Sequence, residues 1–201
     1  MPLNNFVIFE RYVEKRLKND GDFFNIIVMT RKKDFEDGTH KKQSCVIYTT
    51  NVYSVNELRD IQPTLETICI NDRARCYITV NKRTDEGVAK EVLKYMVDMY
   101  VSKNYHKIRT AYDHCVNTTC SIENKMYMLD VDEDFTGDVD DVILYMKDIQ
   151  TNGHGKDGEI YIVPTKNGVH LLVPPFDVGM FKKKYPTISV KKNDLTLMYC
   201  F

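Results

Sequence analysis

The sequence predicts an α+β protein made of an N-terminal α/β unit (residues 1–123) and a C-terminal unit (residues 124–201). Apolar residues recur at helical spacing in some segments and at every second position in others. In the C-terminal unit the predicted elements follow the order β-α-β-β-α-β. A chain of 201 residues is long enough to bury a sizeable core. We therefore expect the two units to form one compact core.

The composition is that of an ordinary globular protein and argues against several classes. The sequence has no run of eighteen apolar residues, and its N-terminus lacks the basic and apolar regions of a secretory signal. A net charge of −1 argues against coating of nucleic acid by bulk charge, although a local basic groove would still be compatible with it. The six cysteines form no CxxC motif, which favours buried free thiols in a reducing compartment. We expect a cytoplasmic protein without a membrane partner.

The N-terminal unit is predicted to contain three helices and three strands. Ser54 and Glu57 have the spacing of a capping box, and Asp85 is the expected cap of the third helix. No element is predicted for 103–123. The predicted elements are a helix at 4–18, strands at 23–29 and 44–49 joined by a polar turn at 34–42, a helix after Ser54, a strand at 75–80 and a helix from 85 to 101.

The C-terminal unit shows a clearer pattern. Its order is that of the ferredoxin-like or RRM-like plan, in which two helices cover one face of an antiparallel sheet. Asn167-Gly168 is typical of a tight turn with positive φ angles. The predicted elements are strands at 125–132, 159–163, 168–173 and 195–200, a helix at 138–150 capped near Asp138, and a helix from Asp177 to Tyr185; a Gly-rich loop precedes the second strand.

Strand alternation predicts that three polar side chains share one face of this sheet. Leu129 and Val131 are expected to face the helices, which places Asp130 and Asp132 on the opposite face. The same parity places His170 there. Because the first and third strands of this plan are adjacent, we expect His170 to lie close to both aspartates.

These side chains form a candidate site for a metal and a phosphate. Asp130 and Asp132 are paired oxygen ligands on a rigid strand, which suits magnesium or manganese; the alternative is a solvated strand end in an acidic loop. Lys166, Asn167 and Gly168 could hold phosphate oxygens through turn amides and the lysine, with a charge-assisted contact from His170. The alternative is that this segment is only a favourable hairpin turn.

Two further groups of residues have a structural and a functional interpretation. The zinc candidates His106, His114, Cys115 and Cys120 match no common zinc pattern, so zinc is not expected. The basic residues around the strand at 75–80 could be a solvated edge, which we favour slightly, or could line a nucleotide or nucleic-acid groove. They are Arg73, Arg75, Lys82 and Arg83.

Two motifs together resemble those of the archaeo-eukaryotic primase superfamily, which includes small primase-polymerases of phages and plasmids. Leu129-Asp130-Val131-Asp132 is similar to its first motif, an apolar strand ending in DxD, and Gly168-Val169-His170 to its second. A third motif, an acid on a late strand, is not matched: Ser189 stands at the expected place. Asp194 is slightly displaced from it, and Asp177 is a further candidate.

The resemblance implies a primase-polymerase-like nucleotidyltransferase. In that family the acidic pair binds the catalytic metals, and the histidine contacts the phosphates of the incoming nucleotide. Asp130 and Asp132, with Asp194 as the candidate third ligand, would then hold Mg²⁺ or Mn²⁺, and Lys166, Asn167, Gly168 and His170 would bind a nucleoside triphosphate. A DNA or RNA template and other replication proteins are the expected partners.

Two other functions remain open. A metal-dependent nuclease or phosphodiesterase would use the same acidic pair but would consume nucleic acid. A degenerate, non-catalytic member would use the sheet as a nucleic-acid-binding or assembly surface. Ordinary RNA stacking on the first strand of the C-terminal unit is disfavoured, because its open face carries Met126, Met128, Asp130 and Asp132 rather than aromatic residues.

Overall fold

The computed structural model describes residues 2–34, 44–150 and 159–201, which form an α+β protein with two antiparallel sheets. Two 3₁₀ helices lie at Lys32–Asp34 and Tyr105–Thr110. The α-helices of the described residues are α1 (Phe6–Arg16), α2 (Val55–Asn71), α3 (Asp85–Val101), α4 (Ala111–Thr118), α5 (Val139–Asp148) and α6 (Val178–Lys184). The strands are β1 (Leu3–Asn4), β2 (Asp22–Thr30), β3 (Cys45–Val52), β4 (Arg75–Thr79), β5 (Arg83–Thr84), β6 (Tyr127–Asp132), β7 (Tyr161–Thr165), β8 (Gly168–Val173), β9 (Ser189–Lys191) and β10 (Leu195–Cys200).

The first sheet has the strand order β1-β10-β4-β2-β3, and β5 pairs with β2. Helices α1 and α2 cover one of its faces. Phe24, Ile26 and Val28 alternate along β2 and pack beneath these helices in the main core. Asn25, Ile27 and Met29 therefore point to the opposite face of the sheet.

The second sheet has the order β7-β8-β6-β9 and is packed on both faces. Leu129 and Val131 lie on one face, in a core with residues of α5 and α6. On the other face, Met128 and Leu172 join the core of the first sheet. The face of the second sheet that was predicted to be open is thus partly covered by the N-terminal part of the chain.

Most of the predicted elements are present in the structure. The helices at α1, α2, α5 and α6 and the β2–β3 hairpin are confirmed. The Ser54 hydroxyl accepts from the Glu57 amide at 3.1 Å, whereas the Glu57 carboxylate accepts from the Tyr53 amide. The cap of α3 is Thr84 rather than Asp85, because the extended Thr84 places its hydroxyl against the Gly87 amide.

The prediction for the last strand was wrong. Strand β10 lies in the first sheet, between β1 and β4, and the fourth strand of the second sheet is β9, which pairs with β6. Residues 196–200 are all buried, and a strand buried on both faces fits the interior of the larger sheet. The chain therefore returns to the first sheet immediately after Asp194.

Some expectations concern segments without a regular pattern. Residues 103–123, for which no element was predicted, contain the second 3₁₀ helix and α4. Most of the polar turn at 34–42 and the Gly-rich loop lie outside the described residues.

The six cysteines are free thiols, and four of them are buried. No helix in the described ranges has both the length and the apolarity needed to cross a membrane.

Candidate functional site

A cleft of about 310 Å³ opens where the two sheets meet. The second sheet contributes side chains from β6 and β9 and from the β7–β8 hairpin, and the first sheet contributes side chains from β2, β4 and β10. The polar residues that line the cleft are Arg31, Arg75, Tyr77, Asp130, Asp132, Thr165, Lys166, Asn167, His170, Lys191 and Asp194.

Asp130 and His170 are directly opposite each other on neighbouring strands β6 and β8. His170 Nε2 lies 3.3 Å from Asp130 Oδ1, so the proximity expected from strand parity is confirmed. The other ring nitrogen, Nδ1, lies 3.0 Å from the hydroxyl of Thr196, a fully buried residue of β10. The imidazole is thus held at both nitrogens, between the two sheets.

Asp132 ends β6 beside the β7–β8 turn. It pairs with Gly168, and the Glu133 amide donates to the Asn167 carbonyl at 2.8 Å, which closes the hairpin against β6. Gly168 has φ +142°, and a Cβ on it would lie 2.1 Å from the Val131 carbonyl oxygen. Glycine is needed here because the turn approaches β6 so closely.

The turn itself differs from the predicted type. Thr165 pairs with Gly168, so Lys166 and Asn167 are its two central residues. Among these four residues the positive φ is confined to Gly168. The exposed Lys166 and Asn167 side chains line the cleft, as the phosphate-binding interpretation requires.

Lys191 connects two carboxylates of the cleft. Its ammonium lies 3.7 Å from Asp130 Oδ2 and 3.2 Å from Asp194 Oδ2. Asp194 thus enters the cleft from the crossing between β9 and β10, whereas Ser189 pairs with Asp130 across β6 and β9. The candidate third acidic ligand, Asp194, therefore lies in the connection between β9 and β10 and not at the β9 position opposite Asp130.

The environment of Asp130 favours its ionised form. The hydrogen bond with His170 lowers the pKa of Asp130 below its ordinary value, and the charges of His170 and Lys191 add to this effect, while partial burial opposes it. The Asp130 side chain remains 28% exposed. The carboxylate is therefore both ionised and accessible from the cleft.

The wall from the first sheet carries residues to which the sequence gave no firm role. The guanidinium of Arg31 donates to the Tyr77 hydroxyl at 3.2 Å, and buried Arg75 forms an ion pair with Asp34. Arg75, Lys82 and Arg83 are all buried, so the slightly favoured solvated-edge interpretation was wrong for these three. The alternation of Arg75 and Tyr77 along one strand was the available signal.

The other candidates are not brought into the cleft. Asp177 caps α6, where its carboxylate accepts from the Met180 amide at 2.9 Å. His114 stacks on Tyr95, and Cys115 is buried in a small apolar cluster. Within the described residues, no three His, Cys, Asp or Glu side chains are grouped closely enough to hold a metal as they stand.

The donor set nevertheless fits a hard divalent cation. Asp130, Asp132 and Asp194 offer carboxylate oxygens only, which are the ligands that Mg²⁺ and Mn²⁺ prefer. The Lys191 ammonium bridges two of these carboxylates and supplies the positive charge that a metal would supply. A metal bound here would take the place of Lys191 in its contacts with Asp130 and Asp194, and the three carboxylates would have to come closer together.

Comparison of the chain with protein-family models, with curated proteins and with solved structures finds no match.

Proposed function

We propose that this protein is a primase-polymerase-like nucleotidyltransferase that binds a nucleoside triphosphate in the cleft, with a divalent metal and a DNA or RNA template. The observation that carries the proposal is the charge arrangement of the cleft, in which three carboxylates and several cations line one cavity. Such a combination suits a polyphosphate held by cations beside a metal held by acids. The cations are Arg31, Arg75, Lys166 and Lys191.

Asp130 and Asp132, with Asp194 as the third candidate, would hold the metal. When bound, Mg²⁺ or Mn²⁺ neutralises charge on the transferred phosphates and orients the attacking hydroxyl. Asp130 is suited to the ligand role because its lowered pKa keeps it ionised at neutral pH. Lys191 would exchange its carboxylate contacts for contacts with phosphate oxygens.

The remaining residues of the cleft would bind and orient the triphosphate. In the reaction, the 3′-hydroxyl oxygen forms a bond to the α-phosphorus and loses its proton to water, while the bond from that phosphorus to pyrophosphate breaks. Lys166 and the turn at Asn167 and Gly168 are placed to bind phosphate oxygens and to stabilise the charge of the leaving pyrophosphate. The ring of His170, held at Nδ1 by Thr196, would exchange the contact of Nε2 with Asp130 for a contact with a phosphate oxygen.

The topology supports the same proposal. The order β7-β8-β6-β9, with α5 and α6 on one face, agrees with the RRM-like plan that the primase resemblance implies. Buried free thiols agree with the proposed cytoplasmic compartment. Other replication proteins are the partners that this function would require.

One observation favours a second candidate function, a non-catalytic nucleic-acid-binding module. Lys191 already contacts both Asp130 and Asp194, so a side-chain cation lies between these carboxylates without a metal. In that case the cleft would bind phosphates but would not need Mg²⁺ or Mn²⁺.

The proposal is tested by extension of a labelled primer on a template with nucleoside triphosphates and Mg²⁺ or Mn²⁺. Asp130→Asn should lower the rate at least about 100-fold, because it removes an anionic metal ligand. The matched control is Asp134→Asn, an exposed carboxylate nearby that does not line the cleft, and it should extend like the wild type.

Three other outcomes reject the proposal. Undiminished extension by Asp130→Asn excludes the assigned role of the cleft. Shortening of the oligonucleotide without triphosphates identifies a nuclease. Retained binding of the oligonucleotide without extension in either metal, together with no Mn²⁺ binding in a titration, identifies the non-catalytic module.

A further inference from the structure

The cleft continues into a groove across the first sheet. A second hollow of about 300 Å³ shares Met29, Asp194 and Leu195 with the cleft, and a third of about 280 Å³ shares Ile27, Val46 and Asn117 with the second. These two hollows, here called the sheet groove, run over the face of β2 and β3 that α1 and α2 leave free. They end against α4.

The sheet groove is lined by apolar side chains such as Val46 together with amide and hydroxyl groups that a hydrogen-bond network holds in place. Asn25 is only 4% exposed, and its Nδ2 donates to Thr49 Oγ1 at 3.2 Å and to Asn51 Oδ1 at 2.8 Å. Asn51 in turn donates to the hydroxyl of Tyr112 on α4 at 2.9 Å. The network fixes the Tyr112 side chain at the groove wall, where it is 49% exposed.

The charge of the sheet groove contrasts with that of the cleft. Among the described residues, the hollow next to α4 is lined by no lysine or arginine, and Asp113 is its one charged residue. The middle hollow contains Arg83, whose guanidinium is buried and donates to the Val116 and Asn81 carbonyls. Because this arginine is buried and already donates to two carbonyls, the walls offer little neutralisation to the phosphates of a bound strand.

We propose that the sheet groove binds single-stranded nucleic acid with its bases turned inward and its phosphates turned to solvent. Amide and hydroxyl side chains both donate and accept, as base edges require, and the Tyr112 ring offers a surface on which a base can stack. The continuity with the cleft leads the strand to the carboxylates at Asp194. This inference rests on the proposed function, since it assigns the path of the template strand.

The test is binding of a fluorescein-labelled oligothymidylate and an oligouridylate to the full chain, measured by anisotropy with EDTA and without triphosphates. Tyr112→Ala should weaken binding roughly tenfold, the typical loss for one stacked base. Tyr112→Phe keeps the ring and loses only the contact with Asn51, so it should bind within about threefold of the wild type. A third oligonucleotide, oligodeoxyuridylate, differs from oligouridylate in the sugar alone, and the tighter of these two names the preferred sugar.

A matched control separates stacking in the groove from general exposure of aromatic rings. Tyr100 on α3 is 68% exposed and lies outside the groove, so Tyr100→Ala should bind like the wild type. The dependence of affinity on salt should be the same for Tyr112→Ala and the wild type, because no phosphate contact is lost. Photocrosslinking with 5-iodouracil should label the peptide that contains Tyr112.

The inference is overturned by undetectable binding of all three oligonucleotides to the wild type, by unchanged binding of Tyr112→Ala, or by an equal loss in Tyr100→Ala. Because no metal or nucleotide is present, these results are independent of catalysis. A loss in Tyr112→Ala in a protein that fails to extend primers retains the groove and rejects the reaction. Normal primer extension together with unchanged binding of Tyr112→Ala retains the reaction and rejects the groove.

Discussion

Lys82 and Asp22 form a sealed ion pair at the start of β2, whereas Lys191 and Asp130 form one that faces the cleft. The sealed pair has an N–O distance of 2.6 Å, and its side chains are 4% and 0% exposed. The open pair has a distance of 3.7 Å, and its side chains are 39% and 28% exposed. Both pairs join a lysine to an aspartate, so the difference lies in their access to solvent.

The sealed pair also receives hydrogen bonds from neighbouring amides, but all of them reach Asp22 Oδ2, and the buried Oδ1 has no hydrogen-bond partner among the described residues. Burial alone would raise the pKa of Asp22, but the hydrogen bonds from Lys82 and from the amides of Asn19 and Lys18 hold that pKa below its ordinary value. Both lysines are shared between two carboxylates, since Lys82 also lies 3.4 Å from Glu123 Oε2 and Lys191 contacts both Asp130 and Asp194. The sealed pair with Asp22 stabilises the fold because water cannot replace the lysine there, while the open pair can exchange its partner for a ligand.

The largest effect expected from this comparison follows the loss of Lys82. Lys82→Met leaves the buried Asp22 carboxylate without its cation, and breaking a buried pair in this way typically costs about 3–5 kcal/mol. We expect a loss of that size in the free energy of unfolding, measured by urea denaturation with circular dichroism.

Lys191→Met is the matched control for the open pair. Since exposed ion pairs contribute about 0–1 kcal/mol, its free energy of unfolding should stay within about 1 kcal/mol of the wild type. Equal losses in the two variants would show that the open cluster is structural and would remove the contrast between the pairs.

A smaller effect is expected at the turn that closes the site. Gly168→Ala would place a methyl group against the Val131 carbonyl at a φ of +142°, so β8 must move away from β6. We expect a loss of about 1–3 kcal/mol in the free energy of unfolding, the usual range for such backbone strain. The measurement is again urea denaturation, combined with Mn²⁺ titration to report the displaced Asp132.

The control for this position is Asn167→Ala, in the same turn but without a positive φ. It should change stability by less than about 0.5 kcal/mol, as surface substitutions usually do. A Gly168→Ala variant as stable as Asn167→Ala would mean that the hairpin does not need its close approach to β6.

The wall of the cleft that the second sheet forms could be predicted from the sequence. The proximity of Asp130 and His170 follows from strand alternation, which is a local pattern, and from the adjacency of two strands, which follows from the order of the predicted elements in the C-terminal unit. The hairpin that carries Lys166 follows from turn residues in the same way. These parts of the second sheet needed no information about the rest of the chain.

The other half of the cleft depends on pairing that no local pattern records. Strand β9 has only three residues, too few for a periodic signal, and β10 could have joined either sheet by its own composition. The return of β10 to the first sheet brings Asp194 and Thr196 to the site and sets Arg31 and Arg75 opposite them. Sequence spacing therefore found one wall of the cleft and missed the other.

The smallest expected effect is the pH dependence that Asp130 contributes. Its pKa is lower in the folded chain than the ordinary value of about 4, so the ionised carboxylate stabilises the fold above about pH 4 and this contribution disappears as the pH falls through the folded pKa. The difference in free energy of unfolding between the wild type and Asp130→Asn should shrink in acid, by about 1 kcal/mol or less because the pair is partly exposed. Urea denaturation across a pH series measures it, with Asp22→Asn as the sealed counterpart that should show a larger change. A difference between wild type and Asp130→Asn that stays constant with pH would mean that neither His170 nor Lys191 stabilises the charged carboxylate.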